Sequence, residues 1–455
     1  MATLNTSNQY QAALRRQLSK EVLPIVQRSL VAYQFAPKKK MEKGAGVTWT
    51  ATRFNRLPLP FAPLSEGVPP LGEQLSISQV TGVALQWGDK ITLTDVAVTA
   101  TMYDLIQQSK RLLGVQIAET HERNTYSTLV GGTQVNYVNQ RGSRALLVPG
   151  DVLDVVTINR TYSDLENIGA PFYNGQMEPD IMREIGHGPR QADKGPMATE
   201  HYVAIISPLV ENDLRQNATI VQAWSFSDIP KLYINEVGYW AGIHFTKSNM
   251  LPRWVGVAAV TATPGTSGNL PTGTYSVQVT GTDSLNQFGE QLIYQVTTGV
   301  TVTGPAGSIS VTVPSTAGYT YSVYVSLAGS TTPVNLGLSS TAGIGIPTTG
   351  PAAGNATQIN PGSTVVLTGL GAYVVPPNAP ATGVTVYPTF IFGSEYFACT
   401  QLEDISWTTL FEADKSDPLN QLRVVGYKYF EGFVILNNQF GCRIESSVSN
   451  TGTFG

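Results

Sequence analysis

The sequence predicts an α+β protein that carries an all-β sandwich inserted within it. Three observations carry that prediction. Apolar residues recur at helical spacing from Asp95 to Val130. Alternating strand patterns flank that stretch, before residue 90 and again after residue 200. At Val255 the composition changes abruptly: from there to Ser394 there is no lysine or arginine, and Asp283 and Glu290 are the only acids.

The 455 residues suffice for two or three domains and a sizeable core. Charged residues make up only 13% and the formal net charge is -4, so no overall electrostatic pull toward nucleic acid exists. Met1 to Gln9 is polar, which predicts no secretory signal. No apolar run approaches the ~18 residues of a membrane span. Cys399 and Cys442 are too few for a disulfide framework and read as buried thiols in a reducing compartment. The histidines His121, His187, His201 and His244 lack metal-binding spacing, so neither metal nor cofactor is expected.

In chain order, Leu4 to Phe35 is an amphipathic helix candidate that Pro24 should kink. It continues into a basic run: Arg15, Arg16, Lys20, Arg28, Lys38, Lys39, Lys40 and Lys43 face only Glu21 and Glu42. No aromatic residues interleave these charges, so an arm lying on an acidic neighbouring subunit, or a solvated face, is preferred over nucleic-acid contact. Val47, Trp49 and Ala51 alternate with threonines, and Ile77, Val83, Leu85 and Trp87 read as the returning strand. The proline-dense tip between them, with Phe61 and Glu66, cannot join a central sheet. Two strands projecting alone are marginal in water, so the hairpin makes sense lying on another subunit.

Asp95 to Val130 reads as one rod of about 54 Å, capped by Thr94 or Asp95 and stopped by Gly131-Gly132. Gly114 marks a kink within it, or a break into two helices. A second helix is expected over Asp151 to Asn167, ended by Gly169, and a loop over Phe172 to Thr199. His201 to Ser207 reads as a buried strand, Pro208 as the start of a helix, and Tyr233 to Phe245 as strand-like. From Val255 to about Ala381, short alternating runs such as TYSVQVTGT, SISVTVP and YTYSVYVS are spaced as in a β-sandwich. Their regular tyrosines, Tyr275, Tyr294, Tyr319, Tyr321 and Tyr324, argue against a disordered linker. The stretch reads as a separate insertion whose excision at Val255 and Ala381 should leave the rest functional. Tyr387 to Phe392 is a strand re-entering the first domain, Gly393 to Leu402 a short helix, and the chain ends in strands reaching Ile444.

No P-loop, GxSxG elbow, HExxH or EF-hand loop is present. Asp213 with Arg215, and Glu236, read as structural ion pairs, so no enzyme activity is expected.

Three segments in order, HYVAIISPLVENDLRQ with INEVGYWAGIHFTKSNMLP, then YPTFIFGSEYFACTQL, then KSDPLNQLRVVGYKYFEGFVILNNQFGCRIES, carry a family resemblance, and FNRLPLP…LSEGVPP…WGDKITLTD fits upstream of them. The chain resembles the major capsid proteins of tailed bacteriophages, in the N-four-type branch of the Hong Kong 97-like fold. Two positions depart from the pattern. Ser207 stands where a histidine often precedes the proline, and Asn235 where glycine usually precedes Glu236-Val237-Gly238.

The resemblance implies an N-terminal arm (1–43), an extended hairpin loop (44–93), and a spine helix with peripheral and axial domains (94–254). It further implies an immunoglobulin-like insertion (255–381) pointing outward and a return to the core (382–455). It implies a shell subunit that assembles with itself as hexamers and pentamers around double-stranded DNA. The partners would be a portal, a separate scaffolding protein, an optional cement protein and packaged DNA held non-specifically. No membrane is implied; the chain would assemble in the host cytoplasm and end in the virion. Arm and hairpin would then supply inter-subunit contacts through Arg15, Arg16, Lys38, Lys39, Lys40, Trp49, Phe61, Glu66 and Trp87. The competing reading is a surface adhesin or carbohydrate-binding module built on the sandwich and its tyrosines.

Overall fold

The computed structural model describes residues 30–44, 46–55, 57, 59, 72–101, 104–173, 201–226, 233–283, 290–304, 307–327, 361–367, 379–410 and 421–449. These fall into two units, one formed by 86–117 with 404–429 and the other by the remainder. The expected helix over Leu4 to Phe35 lies outside the described residues except for a 3-10 turn at Ala32–Phe35. The hairpin tip and nearly all of the loop over Phe172 to Thr199 also lie outside them.

The chain continues through β1 (Lys38–Lys40), β2 (Thr48–Phe54), β3 (Ile77–Val83) and β4 (Leu85–Thr94). The expected rod is two helices, α1 (Asp95–Ala100) and α2 (Leu105–Val130). Thr94 caps α1 by accepting from the Ala97 amide at 3.2 Å. The break falls at Thr101, whose backbone is extended (ψ 139), and not at Gly114, which lies inside the unbroken α2. Asp104 restarts the helix by accepting from the Gln107 amide at 3.0 Å. Asp104 with Gln107 three residues on is the sequence pattern of a capping box, a signal that outweighs the mid-helix glycine. Past Val130 the chain leaves α2 through i→i+3 bonds from Gly131 and Gly132. Neither glycine is left-handed, so the expected glycine stop works differently. A Cβ on Gly132 would meet the Tyr396 hydroxyl at 2.3 Å.

The strands β18 (Phe397–Leu410), β19 (Leu422–Ile435) and β4 are neighbours in that order, and the first unit holds 404–410 of β18 and 422–429 of β19. Val425, Tyr427 and Tyr429 alternate on one face of β19 and pack with Leu113 and Ile117 of α2. Trp87, Ile91 and Ile106 close this core. The spacing 106, 113, 117 is the helical stripe anticipated from sequence.

The second unit holds β5 (Val135–Tyr137), α3 (Val155–Ile168), β6 (Tyr202–Ile206), α4 (Pro208–Leu214), α5 (Ala218–Phe226), β7 (Glu236–Trp240), β8 (Ile243–Lys247) and β9 (Trp254–Val257). Asp154 caps α3, and Gly169, left-handed at φ 74, ends it. Later come β17 (Thr385–Phe392) and β20 (Gly441–Ser447). The central sheet runs β9-β17-β6-β8-β7, with β20 along the other edge of β17 and β5 beyond it. β17 is buried on both faces, so its run YPTFIF is apolar without alternation. Pro388 has no amide donor and sits where the β17 partner changes from β9 to β6. Tyr233 to Phe245 proves to be a turn and hairpin. Ala241 (φ 51) and Gly242 (φ 77) form its two-residue turn. Asn235 is left-handed at φ 59, a conformation that asparagine tolerates better than other non-glycine residues, which explains why it can stand in a glycine's place.

The expected short helix at Gly393 to Leu402 is instead the start of β18. Phe397, Ala398, Cys399 and Thr400 are all buried, and a short apolar run covered on both faces has no period to tell strand from helix.

Between β9 and β17 the chain forms β10 (Ala262–Leu270), β11 (Gly273–Asp283), β12 (Glu290–Tyr294), β13 (Thr297–Val302), β14 (Gly307–Thr312), β15 (Tyr319–Leu327) and β16 (Thr364–Leu367). β10, β14 and β16 make one sheet; β11 pairs with β15 on one edge and with β12 and β13 on the other. Val277, Val279, Val300, Ile309, Val311 and Val323 fill the space between the sheets. β10 went unread in the sequence because ATPGTSGNL has too few apolar residues to show alternation.

Candidate assembly surfaces

The β2–β3 hairpin has two unequal faces, fixed by its register. Trp49 pairs with Gly82, Ala51 with Val80 and Arg53 with Ser78 on one face; Thr48 pairs with Val83, Thr50 with Thr81, Thr52 with Gln79 and Phe54 with Ile77 on the other. The first face rests on its own chain. A Cβ on Gly82 would approach Thr400 to 3.0 Å and Val434 to 3.1 Å, and an Arg53 guanidinium nitrogen donates to the Leu436 carbonyl at 2.6 Å. The second face is open: Phe54 is 68% exposed and Ile77 57%. Leu59 and Leu75, toward the tip, are also exposed. A ribbon of two strands gains little stability alone, and here the side chains of one face are exposed.

The basic run has a local structural job. Lys38, Lys39 and Lys40 form β1, which lies parallel to Cys399, Thr400 and Gln401 of β18. Lysines on a sheet-edge strand discourage unwanted pairing with other chains. The Lys38 ammonium sits 5.1 Å from the centre of the Tyr33 ring. Trp49 is half-buried on the covered hairpin face. Trp87 belongs to the first unit's core and not to the hairpin. Arg15, Arg16, Phe61 and Glu66 lie outside the described residues.

Sequence reasoning missed the residue that fixes the 3-10 turn at Ala32–Phe35. Glu122 of α2 is fully buried. It accepts from the backbone amides of Val31 (2.9 Å), Ala32 (2.8 Å) and Tyr33 (3.1 Å), which start the 3-10 turn. Burial pushes its carboxyl above the usual carboxylate range, and the amides of Ala32, Val31 and Tyr33 pull the other way without prevailing. The available signal was its place on an apolar stripe, four residues before Tyr126 and seven before Leu129, where a carboxylate needs a buried partner. Next to it, the His121 ring stacks on Tyr33 at 4.9 Å and contacts Glu431 at 2.7 Å. Gln34 and Ile234 exchange two hydrogen bonds, and Phe35 packs edge-on to Tyr233 at 4.9 Å.

Two further charged clusters are internal. Arg144 binds Glu445 through two nitrogens, at 2.7 and 2.6 Å, and its guanidinium lies 3.7 Å over the Trp254 ring. Arg443 also reaches Glu445, at 3.0 Å. Glu236 meets the buried His244 ring at 2.6 Å, a hydrogen bond between two buried side chains. The expected Asp213–Arg215 pair does not form. Arg215 binds Glu211 one helical turn back, and Asp213 accepts from Ser449. Cys399 and Cys442 are free and buried, and burial raises both thiols, Cys442 to about 12, which disfavours the reactive thiolate. Among the described residues no cluster of His, Cys, Asp or Glu could hold a metal ion, and no helix is long and apolar enough to cross a membrane. In the sandwich, Tyr275, Tyr294, Tyr321 and Tyr324 are buried and serve packing, and Tyr319 is half-buried.

No protein-family model matches the sequence, and no curated protein matches it. Among solved structures, the fold is similar to a chain in the head structure of Helicobacter pylori bacteriophage KHP40, with a TM-score of 0.50 and 9% identity over 98% of each chain. It is also similar to a chain in the capsid of Ralstonia phage GP4 (TM-score 0.49, 10% identity, 99% of this chain and 100% of that one). A third is from the capsid of cyanophage P-SCSP1u (TM-score 0.49, 11% identity, 95% and 93%). The α+β, sheet-rich fold is thus one found in phage heads.

Proposed function

We propose that this chain is a structural, non-enzymatic subunit of a bacteriophage head, of the Hong Kong 97-like type. Copies would assemble as hexamers and pentamers into a shell around double-stranded DNA. Residues 1–43 would be the arm, 44–93 the hairpin loop, 94–254 and 382–455 the shell body. Residues 255–381 would form an immunoglobulin-like module on the outside. A portal, a scaffolding protein, an optional cement protein and packaged DNA in non-specific contact would be the partners, while the basic arm would lie on a neighbouring subunit.

The observation that carries this reading is the hairpin. Its inner face is seated on the chain, while Phe54 and Ile77 stand side by side and exposed on the outer face. A second copy would supply the missing cover, and a closed shell repeats one such contact many times. Each large apolar side chain contributes about 1.5–3 kcal/mol when buried. Phe54→Ser with Ile77→Ser should therefore weaken each contact by about a hundredfold or more. The isolated subunit should keep its stability to within about 1 kcal/mol, since both residues are exposed in it. Sedimentation velocity and negative-stain microscopy read the assembly. Wild-type chain that stays monomeric at high concentration with its scaffolding partner, or a double variant that assembles as well as wild type, would overturn the reading.

A further inference from the structure

The boundary between the shell body and the insertion is not a pair of tethers. β9 lies between β17, a strand of the body, and β12, a strand of the insertion. It runs parallel to β12, with Val255, Gly256 and Val257 opposite Leu292, Ile293 and Tyr294, and antiparallel to β17 through Trp254 and Val255. One sheet therefore passes from the body into the insertion without an edge.

The side chains of β12 divide accordingly. Ile293 is fully buried in the cluster of the body, with Trp254, Val386 and Ile391. Tyr294, the next residue, is buried in the core of the sandwich, and Leu292 packs on that core as well. β12 thus fills two cores with alternate residues, as a strand shared between two layers must. From the body side, Val257 and Val260 pack on the sandwich core.

The returning chain is locked at the same place. A Cβ on Gly256 would lie 2.1 Å from the Ala381 carbonyl oxygen, so only glycine allows this crossing. The Gly256 amide donates to Val384 at 2.9 Å and its carbonyl accepts from Gly383 at 2.9 Å. The Gln295 amide donates to Val257 at 2.9 Å, and the Gln295 side chain donates to the Pro380 carbonyl. Against its burial, Tyr387 of the body and Tyr319 of the insertion both favour the charged form of Arg253.

We propose that the insertion has a second function besides any display: it supplies β12 as a strand of the body's own sheet, so that insertion and body fold and unfold as one cooperative unit. Force or binding at the insertion would then pass into the central sheet through β9. This stands on the junction alone and does not depend on the shell reading. Excision at Val255 and Ala381 would cut β9 and strip its partner, so such a deletion would not be neutral.

The test is hydrogen exchange of the full-length chain carrying Val311→Ala, with the milder Val300→Ala as a second variant. Both side chains lie in the sandwich core and neither belongs to the body's core cluster. If the two parts are one unit, the slowest amides of β17 and β6 should exchange about tenfold faster, in step with those of β11 and β15. Faster exchange confined to β10–β16, with β17 and β6 unchanged in either variant that folds, would overturn the proposal. If neither variant folds, two separated unfolding transitions of the wild-type chain, one of them leaving β17 and β6 protected, would overturn it equally. A single transition shared by all four strands would support it.

Discussion

Replacing Glu122 tests how the 3-10 turn at Ala32–Phe35 is held. Its Oε1 takes the amides of Val31 and Ala32, and its Oε2 that of Tyr33. Glu122→Ala leaves those donors without their acceptor. Val31 and Ala32 are fully buried, so water does not replace it. An unsatisfied buried donor costs about 1–3 kcal/mol, and with the half-buried Tyr33 amide adding less, the substitution should cost about 3–5 kcal/mol. Glu122→Gln is different in kind. Its carbonyl oxygen can keep the bonds from Val31 and Ala32 and loses only that from Tyr33, at about 1 kcal/mol. It also removes a buried charge. Burial raises the Glu122 carboxyl above its ordinary value of 4.5, so between that value and the raised one the folded chain binds more protons than the unfolded chain. Stability from this group is therefore full below the unfolded value and is lost as pH rises through the folded one. Glutamine has no such loss, so the variant should compare worst with wild type in acid and improve steadily as pH rises. Urea unfolding from about pH 4 to pH 8, with hydrogen exchange of the peptide spanning residues 31–36, reads both effects. A glutamine variant whose deficit grows with pH would show that the amides, and not burial, dominate this carboxyl. An alanine variant with wild-type exchange at 31–33 would show that Glu122 does not hold the turn.

Three further substitutions check separate parts of the structure. Asp104→Ala removes the cap that restarts α2 and should cost about 1 kcal/mol, with faster exchange at the first turn of that helix. Gly114→Ala should stabilise α2 by about 0.5–1 kcal/mol and leave any assembled particle unchanged in size, because the helix is unbroken there and a Cβ meets nothing within 4 Å; a destabilised variant would restore the kink. Glu445→Gln strips the charge that Arg144 and Arg443 share at a fully buried site, and should cost about 3–5 kcal/mol in chemical denaturation.

How much of this was legible depended on whether a segment has one buried face. The hairpin, α3 and most strands of the sandwich alternate or repeat cleanly, and their positions could be read within a few residues. Elements buried on both sides lose their period, so the start of β18 looked helical although Phe397 to Thr400 is a strand. The break at Thr101 was written in Asp104 and Gln107, but the apolar stripe running past it dominated. Glu122 was passed over for a different reason, although its place on the apolar stripe was a signal. A lone acid in an amphipathic helix is usually solvated, and only the fold brings residues 31–33 over it. The junction at β9 lay deepest, since parallel pairing between Val255 and Leu292 leaves no local trace.

The distribution of exposed apolar residues separates an assembly surface from a poorly packed chain. If exposure reflected weak packing throughout, the sandwich, with so few charges to fill its surface, should show it most. It does not: among its described residues only Val296 and Val366 are exposed large apolar residues. The hairpin and its base, a shorter stretch, expose Val47, Phe54, Leu59, Leu75, Ile77 and Val83. The hairpin register then sorts these further, placing Phe54, Ile77 and Val83 on the face opposite the one that Gly82 presses against Thr400 and Val434. A strand pair that merely lacked a core would not divide its residues so consistently by face. One face seated at home and the other left open, with Phe54 and Ile77 at one end of a row of threonines and Val83 at the other, is the pattern expected when the second half of the burial comes from another copy of the chain.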